Sequence, residues 1–253
     1  GEDVEIVYQL FDINEIMLAK IERGKEDFDV VCPSEYIIER MLRNQMLLPI
    51  LTPEFVEEIN SRDINYFDCV SPYIKEQFSL LEAPEGVNPN DYSVGYMWGT
   101  TGILYNKAYV TEEEASSWSL MFDKRLEDKI FVKDAFRDVY SPILLYAKTL
   151  EGRANGTLGE DEYLDIDTIH ELMYDSSDES IALVEGYLKR MKELVAGWEA
   201  DFGKEMMTQE KAWINLMWSG DAVWAIDEAS SVDVELGYAV PAEGSVVRWL
   251  GNS

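Results

Sequence analysis

Apolar positions change their period several times along the chain, and each change marks an element. Val4, Ile6 and Tyr8 alternate with unlike neighbours, as a half-buried strand does. Ile13, Met17, Leu18 and Ile21 then recur at helical spacing and stop at Gly24, which suits the position just past a helix end. Phe28 to Cys32 predicts a second strand, closed by Pro33. Ser34 is placed to cap a helix whose apolar face is Ile37, Ile38, Met41 and Leu42. Strand, helix, strand, helix within so few residues predicts an α/β fold with a parallel sheet. In such sheets ligands gather beyond the C-terminal ends of strands, where Ser34 to Tyr36 falls.

Residues 82–92 contain Pro, Gly and Asn and read as a loop into a long strand over 93–106. The glycines of that strand permit bending or close backbone approach, so it predicts a crossing between two lobes. Residues 107–200 read as mostly helical, with the clearest helix over 180–198, its face Ile181, Val184, Leu188, Met191 and Val195. Glu151 to Asp167 reads as an acidic surface loop. Ala212 to Trp218 is an apolar segment closed by Ser219-Gly220. Ala222 to Ile226 reads as a buried strand, and Leu236, Tyr238 and Val240 as another, stopped by Pro241. A chain that opens and closes on strands in this way reads as a piece of a longer protein.

Composition narrows the function. Of 253 residues 47% are hydrophobic and 12% aromatic, enough for substantial cores. No window approaches 18 consecutive apolar residues, and the N-terminus lacks the basic start and apolar run of a signal peptide. Fifty acidic residues against 21 basic ones give a net charge of -29, a field that repels nucleic acid and anionic lipid and draws in small cations. Cys32 and Cys69 have no metal-binding spacing, so no metal and no cofactor is expected. The sequence leaves a disulfide between them open. The one histidine, His170, has no nucleophile motif beside it, which argues against Ser-His or Cys-His catalysis.

Six segments in order carry a resemblance: Phe28 to Tyr36 (FDVVCPSEY), Tyr96 to Asn106 (YMWGTTGILYN), Trp118 to Phe122 (WSLMF), Lys133 to Tyr140 (KDAFRDVY), Met217 to Asp221 (MWSGD) and Val240 to Gly244 (VPAEG). Together they resemble the spermidine/putrescine-binding proteins, the extracytoplasmic receptors of polyamine ABC importers. The resemblance implies a two-lobed periplasmic-binding-protein-like α/β fold with crossing strands, here a fragment missing N- and C-terminal parts. Residues 1–97 plus 240–253 would form an incomplete first lobe and 98–239 the second. It implies ligand contacts at Ser34, Tyr36, Asp138, Trp218 and Trp249, while Gly251 stands where the family has an acidic contact. It implies a small polyamine ligand, a membrane permease as partner, no nucleic acid, a monomer, a periplasmic or cell-surface location with or without a lipid anchor, and no enzymatic activity. A polyamine needs carboxylates at its ammonium groups and aromatic walls between them. The alternatives are a receptor of the same fold for another small ligand and a hydrolase using paired carboxylates.

Overall fold

The computed structural model describes residues 5–11, 13–61, 69–245 and 247–252, with the side chains of 174 and 247–252 outside the description. The chain divides into two compact units, residues 1–98 with 248–253 and residues 99–247. The boundary falls inside two strands, β1 (Val94–Asn106) and β6 (Val247–Asn252), and β6 pairs with β1.

The first unit is built mainly from helices. These are α1 (Asn14–Glu22), α2 (Glu35–Arg43), α3 (Pro53–Asn60) and α4 (Pro72–Ser79). Met17 and Leu18 of α1 pack with Val31, Ile37 and Met41, so the apolar faces expected of both helices are buried. Gly24 follows α1 with φ +61, the left-handed conformation a glycine adopts at no steric cost. The strands expected near the N-terminus and over 28–32 are not formed: described residues 5–11 and 28–33 have no regular secondary structure. Val4 lies outside the described residues. Ile6, Tyr8 and Leu10 are more than three-quarters exposed, at 81%, 82% and 83%. Alternation supplies one apolar face, but a strand also needs a neighbour to take its backbone donors and acceptors.

The second unit holds a mixed sheet in the order β3-β2-β4-β1-β5. Its further strands are β2 (Ile130–Lys133), β3 (Val195–Glu199), β4 (Ile214–Trp218) and β5 (Leu236–Ala239). β2 is parallel to β3 and β4, whereas β1 is antiparallel to β4 and β5. The helices are the short α5 (Glu112–Ala115), α6 (Phe136–Asn155), α7 (Ile166–Tyr174), α8 (Asp178–Lys192), α9 (Gly203–Thr208) and α10 (Ser219–Ser230). Alternate residues of each strand face opposite layers. Ile103, Tyr105, Ile214 and Leu216 pack with Val139, Ile143 and Leu144 of α6 and Val184 and Met191 of α8. Leu104 and Met217 pack with Met207 of α9 and Ala222, Ala225 and Ala229 of α10 on the other face.

The second unit departs from the expected elements in three places. Ala222 to Ile226 is helix α10, not a strand: the alanines recur three and four apart and are buried, while Val223 and Trp224 face outward at 60% and 45% exposure. A short apolar run does not by itself distinguish the two periods. The helix expected over 180–198 ends at Lys192, and Val195 to Glu199 form β3 beside β2. The stretch 107–200 therefore holds two strands as well as helices. Glu151 to Asp167, read as a loop, begins inside α6, which runs on to Asn155 and is stopped by Gly156 at φ +77.

Candidate ligand site

Because β2, β3 and β4 run parallel, their C-terminal residues Lys133, Glu199 and Trp218 share one edge of the second unit. From that edge α6, α9 and α10 begin within a few residues. The chain leaves β2 through helices on one face and returns to β4 through α9 on the other, the topology that opens a crevice for a ligand.

Two sequence-predicted contacts are on this edge. Asp138 lies in the first turn of α6 and is buried, at a helix end whose dipole favours a carboxylate. Trp218 ends β4, pairs across to Thr101 of β1, precedes α10 directly and is half-buried. Phe136, two residues before Asp138, is 63% exposed, an aromatic face open to solvent.

Sequence reasoning missed a cluster of charges on the same edge. Lys133 Nζ lies 3.1 Å from Glu199 Oε1 and 3.5 Å from Asp221 Oδ2, and donates to the Ala200 carbonyl at 3.0 Å. Lys133 and Glu199 are both buried. Gly203 N donates to Glu199 Oε2 at 3.0 Å. A side chain at Gly203 would put its first carbon 2.1 Å from Asn215 Nδ2 and 2.5 Å from Glu199 Cδ, so only glycine fits. Lys204 Nζ contacts Asp201 Oδ1 at 2.7 Å and Asp221 Oδ1 at 3.6 Å. The signal was present in part, since Lys133 and Asp221 lie inside the KDAFRDVY and MWSGD segments.

In the first unit Ser34 starts α2, but its hydroxyl does not cap the helix. Asn14 of α1 occupies it instead: Asn14 Nδ2 donates to Ser34 Oγ at 3.0 Å and to Tyr36 Oη at 3.2 Å, while Ser34 N donates to Asn14 Oδ1 at 3.3 Å. Tyr36 Oη donates to Glu15 Oε1 at 3.1 Å. Ser34 and Tyr36 are thus brought together through Asn14, which sequence reasoning did not single out. Trp249 falls in β6, and its side chain lies outside the described residues.

Two other motif segments hold each other. Trp118 Nε1 donates to the Gly244 carbonyl at 2.8 Å, and buried Glu243 accepts from Ser117 Oγ and from Trp118 N. WSLMF and VPAEG therefore brace the second unit. Cys32 is half-buried and Cys69 exposed, and burial pushes the Cys32 thiol up. His170 is exposed on α7. No helix among the described residues is long and apolar enough to cross a membrane.

The mixed α/β sheet, with β2, β3 and β4 parallel, has the fold of the periplasmic binding proteins. The chain matches the model of the bacterial extracellular solute-binding proteins over residues 2–251, and it belongs to that family. It is 22% identical over 250 residues to the spermidine/putrescine-binding periplasmic protein of Escherichia coli (strain K12), covering 98% of this chain and 60% of the relative. It is 28% identical over 153 residues to the putrescine-binding periplasmic protein PotF of the same organism, covering 56% of this chain and 38% of the relative. The chain spans no more than 60% of the length of these two relatives. Among solved structures, the spermidine/putrescine ABC transporter substrate-binding protein PotD from Streptococcus pneumoniae superposes with a TM-score of 0.65 at 23% identity, over 97% of this chain and 63% of that one. The protein MotA of A. tumefaciens B6, solved with glucopine, shares the fold with a TM-score of 0.65 at 15% identity, over 96% and 62% of the two chains.

Proposed function

We propose that this protein is the ligand-capturing receptor of an ABC importer for a polyamine, putrescine or spermidine, and that it binds this ligand without transforming it. In this reading it works in the periplasm or at the cell surface and hands its ligand to a membrane permease. The observation that carries the reading is the placement of Asp138 and Trp218 on the carboxyl edge of the β3-β2-β4 strands. There, a carboxylate at a helix start and a half-buried indole combine the two surfaces an alkylammonium needs. The first unit offers its own contacts, the Ser34 and Tyr36 hydroxyls already oriented by Asn14. Trp249 is retained as a further contact on the strength of the resemblance. The net charge of -29 gathers cations toward the protein.

Calorimetric titration with putrescine and spermidine tests this. Asp138→Asn keeps the shape and removes the charge, and it should weaken binding by about 1–3 kcal/mol, the range for hydrogen bonds to charged groups. Glu160→Gln makes the same chemical change at an exposed loop position and should leave affinity unchanged. Equal effects from both would mean that Asp138 is not the ammonium partner. No binding of either polyamine would turn the reading toward another small ligand.

A further inference from the structure

Lys204 sits in surroundings that match the needs of a ligand ammonium. Its Nζ lies 2.7 Å from Asp201 Oδ1 and 3.6 Å from Asp221 Oδ1, and 5.4 Å from the centre of the Trp224 ring. Two carboxylates and an indole face around one primary ammonium are the groups that would hold the end of an alkylamine. Asp221 is three residues beyond Trp218 in the first turn of α10, so the arrangement belongs to the same edge as the candidate contacts. Its other oxygen faces Lys133. Partial burial works against the Lys204 charge, yet the hydrogen bond it donates to Asp201 and the charges of Asp201 and Asp221 outweigh it and hold the ammonium above the ordinary lysine value. The bond to Lys204 in turn holds Asp201 below the ordinary carboxylate range.

We infer that Lys204 is a tethered counter-ion that withholds the Asp201–Asp221–Trp224 subsite from ligand, and so limits how many ammonium groups this edge accepts. The inference rests on the polyamine reading above. An internal ammonium is held at no cost in translational freedom, so an external one must displace it. Each carboxylate satisfied by a lysine is one fewer for the ligand, which favours a diamine over a triamine. A lysine serving only as a local brace for the start of α9 would have no such preference.

Lys204→Met removes the charge and keeps most of the stem over Trp224. The partners are partly solvent-exposed, with Asp201 and Asp221 side chains 76% and 33% accessible, so the fold should tolerate the change. In titrations with putrescine and spermidine, the spermidine-to-putrescine affinity ratio should rise roughly three- to tenfold over wild type. Lys204→Arg, which keeps a cation in the subsite, should leave the ratio near wild type. If wild type binds a polyamine and the ratio does not move in Lys204→Met, the counter-ion role is wrong while the polyamine reading stands. If wild type and variant bind neither amine, the polyamine reading fails and the inference with it.

Discussion

Ser34 and Lys133 each stand just before a helix, and each is buried, but the two units surround them differently. Around Ser34 the network is neutral: its partner is the Asn14 amide, which reaches on to the Tyr36 hydroxyl, with the exposed Glu15 carboxylate only at the outer end. Around Lys133 the partners are charged and mostly inside the fold: Glu199 from β3 and Asp221 from α10, with the Ala200 carbonyl. A neutral network lets a side chain exchange a hydrogen bond with an internal partner for one with a ligand at modest cost. A buried ion pair is different, because removing one partner leaves the other charge without water or counter-ion. The first unit's hydrogen-bond network is therefore adaptable, and the second unit's edge is a fixed electrostatic frame.

The sharpest way to break this comparison is to remove one acid from each unit. Glu199→Ala should destabilise the protein by about 3–5 kcal/mol in urea unfolding, since it takes the buried counter-ion from Lys133, leaving it the longer contact to part-exposed Asp221, and takes the acceptor from Gly203 N. Glu15→Ala should cost no more than about 1 kcal/mol, as it removes only an exposed partner of Tyr36. Equal costs would mean that the second-unit pair is not the stronger constraint.

A smaller effect sharpens the first-unit side. Ser34→Ala removes the hydroxyl that accepts from Asn14, and should cost about 0.5–1.5 kcal/mol in the same measurement. Because the hydroxyl makes no cap bond, helix content measured by circular dichroism should stay at the wild-type level. A loss of helical signal would show that Ser34 acts on α2 after all.

Two strands of the sheet were legible in the sequence, and the reasons are local. β1 and β5 could be read because alternation marked their faces and glycine or Pro241 their bends and ends, whereas β4 was visible only as an apolar segment and β2 and β3 lay hidden in a stretch read as helical. The alanines of α10 carried a helical period that a five-residue window hid. Phe28 to Cys32 carried a strand pattern, yet the segment pairs with no strand among the described residues and stays irregular. At the site, Asp138 and Trp218 came from the resemblance and not from periodicity. The Lys133 pair was unreadable for another reason: its acid is 66 residues away, and only the register that sets Lys133 beside Glu199 brings the charges together.

The smallest predicted effect concerns acid and an exposed pair outside that frame. Glu114 closes a capping box at α5: its carboxylate accepts from Thr111 N and Oγ1, and Thr111 Oγ1 accepts from Glu114 N. Arg125 adds a bond from its guanidinium at 2.7 Å. The Thr111 backbone bond, then the Arg125 and Thr111 side chains, hold the Glu114 carboxyl down at about 2. A carboxylate whose folded value lies below its unfolded one stabilises the fold above the ordinary glutamate range, and that contribution is lost as pH falls toward 2. Wild type should therefore unfold at slightly higher temperature than Glu114→Gln at pH 7, and the gap should close as pH drops from about 4.5 toward 2. The gap should also shrink in high salt, because Arg125 and Glu114 meet in solvent. A gap that is constant from pH 7 to pH 2 would mean that the amide fails to replace the cap geometrically, and that charge contributes nothing there.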